Sequence, residues 1–119
     1  MTIAELLDEY FEASRRFWFV RAAQIIEQTD NSLTLTLHLH ITPHLFIQAF
    51  LSTRSDRLSL ALIGPTGRLY GRAGRKGQWH RHPFAATHIH EATPAGMSSQ
   101  PLTQFLTEVE TILLENELL

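Results

Sequence analysis

The sequence predicts an α+β domain: an N-terminal helix, an antiparallel β-meander of about five or six strands, and a C-terminal helix packed on the sheet. Three observations predict it. One amphipathic segment opens the chain and a second closes it. Between them, alternating or β-branched stretches follow one another. Their connections are two to five residues long, which suits hairpins between antiparallel neighbours.

"TIAE" opens the first helix as a capping box, with Thr2 as cap and Glu5 reaching back three residues later. Ile3, Leu6, Leu7, Tyr10 and Phe11 share one helical face, and the helix is expected to end near residues 14–16. "FWFVRAAQIIEQ" is aromatic and β-branched and reads as a strand, and "TDNS" reads as a turn. In "SLTLTLHLHI", Leu33, Leu35, Leu37 and Leu39 alternate with Thr34, Thr36, His38 and His40. Strict alternation means one buried face and one polar face. "HLFIQAFLS", "RLSLALIG" and "RLYGRA" follow as three further strands, separated by "RSD" and "PTG" turns. "GRAGRKGQ" reads as a glycine-rich basic loop. Residues 79–97, with Pro83, Pro94 and Gly96, read as irregular.

The last helix starts with Ser98 or Ser99 as cap and Pro101 in its first turn, where a missing N–H costs nothing. Leu102, Phe105, Leu106, Val109, Ile112 and Leu113 form an apolar stripe that should lie across the sheet. Leu114, Leu118 and Leu119 fall outside that stripe and offer apolar surface to a second copy, as in a homodimer, or to another partner. Residues 1–119 make one domain, without repeat or linker.

Composition narrows the function classes. With 44% hydrophobic residues the 119-residue chain can bury a real core. A net charge of -2 gives no overall basic field, so any nucleic-acid contact must use a local patch. The absence of cysteine removes disulfides, thiolate metal sites and thiol nucleophiles, and fits a cytoplasmic setting. The acidic, amphipathic start is unlike a signal peptide, and no apolar run approaches the roughly 20 residues of a membrane helix.

Four of the seven histidines lie in "WHRHPFAATHIHE". Two chemistries suit them. The first is metal binding: imidazole suits zinc and other divalent transition metals, and an i, i+2 pair on a strand can chelate one ion. The candidate ligands are His38, His40, His80, His82, His88 and His90, with Glu91 able to complete a set. No His-Glu-x-x-His motif is present, and a cupin-like arrangement is the nearest pattern. The second is proton transfer without any cofactor. RNA cleavage by its own 2′-hydroxyl needs a base, an acid and a cation for the phosphorane. His80, His82 and His88 are the candidate acid and base, with Arg72 or Arg81 on the phosphate. From Arg68 to Arg81 there are five cations and no acid, interleaved with Tyr70 and Trp79. Arg72, Arg75, Lys76, Trp79 and Arg81 are therefore the candidate nucleic-acid surface. A non-catalytic protein-interaction domain is the third class.

The stretch from His44 to Glu91 resembles the TumE-like family of small toxins from toxin–antitoxin operons. "WHRHPF" and "THIH" occupy the places of that family's two histidine-rich patterns, and "RLYGR" resembles the segment leading into them. The family's acidic residue ahead of the first group is replaced by Gly77 and Gln78. The resemblance implies an RNA-cleaving toxin, neutralised by a cognate antitoxin, in which His80, His82, His88 and His90 are the shared histidines.

Overall fold

The computed structural model describes residues 1–29, 31 and 33–119. In chain order the elements are α1 (Ile3–Arg16), β1 (Ala22–Gln28), β2 (Thr34–Thr42), β3 (Leu45–Ser52), β4 (Arg57–Gly64), β5 (Gly67–Arg75), β6 (Gln78–His82), β7 (Glu91–Ala92) and α2 (Pro101–Glu115). The strands form one sheet in the order β1-β2-β3-β4-β5-β6-β7, every neighbouring pair antiparallel. The expected α+β class holds, but the meander is longer than expected. The "GRAGRKGQ" loop is mostly strand: β5 runs on to Arg75, Lys76 and Gly77 take positive φ in a tight turn, and β6 starts at Gln78. The segment read as irregular contains most of β6 and all of β7.

The other end of the meander is shorter than expected. Residues 17–21 are not strand. Phe17 and Phe19 are buried there as a plug between helix and sheet, their rings 5.7 Å apart, so their aromatic character reports core burial. Of the "TDNS" turn, Asp30 and Ser32 lie outside the described residues. The capping box of α1 forms as read: Glu5 N–H donates to Thr2 Oγ1 and Thr2 N–H donates to Glu5 Oε1.

Both helices cover the same face of the sheet. Leu35, Leu37, Leu39 and Ile41 of β2 point to it, joined by Ile47, Ala49 and Leu51 of β3 and Leu58, Leu60 and Leu62 of β4. They meet Leu6 and Tyr10 of α1 and Leu102, Phe105, Leu106, Val109 and Leu113 of α2, all essentially inaccessible to water. At about 25 cal/mol per Å2 of apolar surface removed from water, this layer is the main source of stability. Phe11, read as part of the α1 stripe, is 49% exposed, and the core takes Ala13 instead. Leu114 and Leu119 lie exposed beyond the α2 stripe, whereas Leu118 packs against the core. No helix among the described residues is long and apolar enough to cross a membrane.

The N-terminus of α2 is capped from across the molecule. Its N-cap is Gln100, not Ser98 or Ser99, and that side chain makes no capping bond. Thr103 N–H donates instead to Oε2 of Glu9, on α1, at 2.7 Å. A carboxylate there answers both the orphan amides and the positive end of the helix dipole. Burial raises the Glu9 pKa while the bonds to Thr103 and Leu102 oppose the shift. Its Oε1 has no partner. The folded state therefore holds the Glu9 proton more tightly than the unfolded chain does. That contribution is complete below the unfolded carboxyl pKa and is lost as pH rises through the raised one. Glu9→Ala, which removes the cap, is expected to lower stability by about 1 kcal/mol. Glu9→Gln, which keeps an acceptor without burying a charge, should equal or exceed the parent at pH 7. Denaturant unfolding checks both, and equal losses in the two variants would contradict the capping role.

Candidate metal centre

Alternation along each strand decides which side chains meet. On β6, His80 and His82 are paired with Ala73 and Gly71 of β5 and face away from the helices. Trp79 and Arg81, paired with Gly74 and Arg72, face toward them. β7 pairs His80 with Ala92 and Arg81 with Glu91. His90, one residue before Glu91, therefore falls on the outer face beside the two β6 imidazoles.

The three rings form a compact cluster. Centroid separations are 5.0 Å for His80–His82, 5.4 Å for His80–His90 and 4.3 Å for His82–His90. One ring nitrogen from each lies within 4.8 Å of those of the other two. His82 is buried, His80 half-buried and His90 exposed. Nitrogens bound to one tetrahedral zinc at 2.0–2.1 Å would stand about 3.4 Å apart, so small ring rotations close the set.

The buried imidazole is oriented by the backbone. His82 Nδ1 lies 2.9 Å from Thr87 O. A carbonyl only accepts, so Nδ1 carries the proton and Nε2 is left with its lone pair. Arg68 also brings a guanidinium nitrogen to 3.3 Å from the same Nδ1. Both contacts cannot be hydrogen bonds, because a protonated Nδ1 cannot accept. The carbonyl contact is the shorter of the two and is the hydrogen bond. Burial, and then the neighbouring imidazoles and arginines, hold the His80 pKa below its ordinary value. Burial likewise lowers that of His82, with the Thr87 carbonyl opposing.

The other expected site residues are distributed widely. His88 is exposed and outside the cluster. His38 and His40 point outward as alternation demands, bonded to Gln48 and Gln24. The row His38–Gln48–Ala61–Gly71–His82 crosses four strand spacings, roughly 19 Å, so they cannot share an ion with the cluster. Arg72 lies on the helix face in a two-point ion pair with Glu108 of α2, Nε at 3.0 Å and Nη2 at 2.7 Å. Tyr70 O–H donates to the same carboxylate at 2.7 Å. Arg81 pairs with Glu91, also on the helix face. Trp79 lies over Gly74, where a Cβ would collide with its indole, and packs against the core. Arg75 and Lys76 line a cleft of about 930 Å3 with Gln78, Trp79, His80 and His90.

Arg57 and Arg68 are not among the candidate site residues, although Arg68 opens the basic run. Arg57 lies outward on β4, its Nε bonded to Ser59. Arg68 lies across Gly71, whose missing Cβ leaves room for its stem and for the His82 ring. Both lower the His80 pKa through space, and both precede the histidine-rich segment in sequence. Parity along β4 would have assigned Arg57 its face. Arg68 required the β4–β5 bulge at Leu62/Ile63, which no residue pattern announces. Comparison with protein-family models, with curated proteins and with solved structures finds no match.

Two outcomes test the helix-face network. Arg72→Ala leaves Glu108 a partly buried carboxylate without its cation and is expected to cost about 3 kcal/mol. A phosphate-binding arginine on a free surface would cost nearly nothing. Tyr70 is pushed up to about 12 by burial and by Glu108, so the fold retains its proton longer than the unfolded chain. Its contribution is complete below about pH 10 and is lost as pH rises to about 12. The urea midpoint should fall across that window, and Tyr70→Phe should flatten most of the fall. Tyr10, also raised by burial, would supply the remainder.

Proposed function

We propose that the chain carries a catalytic-type centre for one divalent transition metal, zinc or a close relative. His80, His82 and His90 are the ligands, and one coordination position stays open. The observation that carries this reading is the mutual approach of the three ring nitrogens within 4.8 Å. Two features support it. Thr87 fixes the tautomer that leaves His82 Nε2 available, the outer-shell arrangement usual for metal-bound imidazole. The lowered pKa values keep His80 and His82 neutral at pH 7, as a metal ligand must be.

Three protein ligands and a free position are the pattern of catalytic rather than structural zinc. A metal so held activates a bound water toward attack on a polarised substrate. Beside it on the outer face the register sets the small residues Ala61, Gly71 and Ala73, with the Arg68 stem and the His82 ring lying over Gly71. The cysteine-free composition fits a cytoplasmic protein.

A metal-independent ribonuclease, acting on RNA and held in check by an antitoxin, is the second reading. The proximity of Arg68 to His82 favours it, since that cation stands where Arg72 and Arg81 do not. It suffers from the protonation states. An acid–base pair needs one imidazole charged at neutral pH, and His80 and His82 are both shifted the other way.

Metal-stripped protein titrated with zinc against a chromophoric chelator should bind one equivalent. His80→Ala, His82→Ala and His90→Ala should each weaken binding at least about 100-fold, the upper end of what loss of an outer-shell partner alone costs. His88→Ala should bind as the parent does. Absent binding, or binding indifferent to all three variants, rejects the metal centre. Cleavage of RNA by chelator-treated protein, lost in His80→Ala and His82→Ala, would establish the second reading in its place.

A further inference from the structure

We infer that the ligand of the open position is a phosphate ester, gripped by Arg57, Arg68 and Arg75 around the three-histidine cluster; the inference rests on the metal reading above. Charge is the first ground. Three neutral imidazoles leave a divalent ion with its full +2. Among the described residues the ion pairs are Arg72–Glu108 and Arg81–Glu91, both on the helix face. On the outer face Arg57, Arg68 and Arg75 have no carboxylate at ion-pair distance among the described residues.

Register is the second ground. Arg57 and Arg75 are directly opposed on β4 and β5, on the same face. Like charges so placed repel, and among the described residues neither arginine has an ion pair. Arg68 is held over Gly71 with a donor aimed at a His82 nitrogen that cannot accept it. These guanidinium groups lack a carboxylate among the described residues and stand on two sides of the cluster. A tetrahedral dianion satisfies the arrangement, with one oxygen on the metal and others on guanidinium forks. A carboxylate offers two oxygens and one charge, fewer acceptors and less charge for the same donors. Lys76 and the 930 Å3 cleft beside His80 and His90 leave room for the organic part of the ester.

Cobalt(II) is loaded first, because its visible absorption reports the ligand set independently of any anion. Inorganic phosphate, adenosine 5′-monophosphate, adenosine and acetate are then titrated by calorimetry and by the cobalt spectrum. Phosphate and the nucleotide should shift the spectrum saturably and bind at least tenfold more tightly than acetate, with adenosine silent. Arg57→Gln combined with Arg68→Gln should weaken phosphate at least tenfold while cobalt binds as tightly as before or more tightly, because two cations beside the ion are removed. Metal-free protein should bind phosphate at least tenfold more weakly. A cobalt spectrum that forms normally but ignores phosphate overturns this inference while sparing the metal centre. So does a double variant that binds phosphate like the parent, or acetate that binds as tightly as phosphate. Failure to bind cobalt overturns both.

Discussion

Everything in this molecule depends on side-chain parity carried through one antiparallel meander. Each strand sends successive residues to opposite faces, and each hairpin passes the register to its neighbour. Once the leucines of β2 choose the helix face, the paired residues out to β7 have their faces assigned, except where the bulge at Leu62/Ile63 resets the parity at Arg68. Arg72 and Arg81 fall among the helices; His80, His82 and His90 fall outside. A one-residue slip of β6 on β5 would turn His80 and His82 to the helix face and Arg81 away from it. The two faces therefore specify each other, and the apolar layer that stabilises the fold also aims the chemistry.

The helix face has its own polar fastenings, and they make the scaffold rigid where the cluster needs it. Glu9 ties α1 to the first turn of α2. Glu108, two turns further on, gathers Tyr70 and Arg72 of β5. The Tyr70 ring stacks on Phe105 at 5.5 Å. β5 is thus fixed from behind, and β5 is the strand on which β6 and its two histidines are laid. The charges in this network have fixed neighbours in a low-dielectric layer, which makes breaking one partner costly. That accounts for a basic, aromatic sequence stretch with a largely structural occupation.

The parts of the fold legible in the sequence were those with strong local physics. The Thr2–Glu5 box, the leucine alternation of β2, Pro101 in the first turn of α2 and the stripe from Leu102 to Leu113 each state their structure within a few residues. Residues 17–21 misled because aromatic content reports burial, and a buried plug and a strand share it. β6 and β7 were hidden because glycine and charge in "GRAGRKGQ" suggest a loop. Here Gly74 is a strand residue left bare to admit Trp79. Only Lys76 and Gly77 turn. Glu9 as a cap lies 94 residues from its helix, beyond any local pattern. Of the candidate ligands, His80 and His82 were legible as an i, i+2 pair. The choice of His90 over His88 needed a β7 of only two residues, too short to leave a periodic trace.

That two-residue strand makes Arg81 more than a neighbour of the site. β7 has few backbone bonds of its own, and its pairing covers only His80–Ala92 and Arg81–Glu91. The Arg81–Glu91 ion pair lies directly across it, so it holds β7 against β6 on the face opposite the cluster. An exposed pair of this kind contributes modestly to global stability. Its local consequence is larger, because Glu91 is bonded in sequence to His90. Loosening of the pair would bear on β7, and so on the third imidazole, while the first two are carried by β6 on β5. The candidate set of three is thereby drawn from one strand that carries two members and a short strand that the third immediately precedes. The third member is the exposed one, at the cleft, where a metal ion can enter and a ligand can reach it.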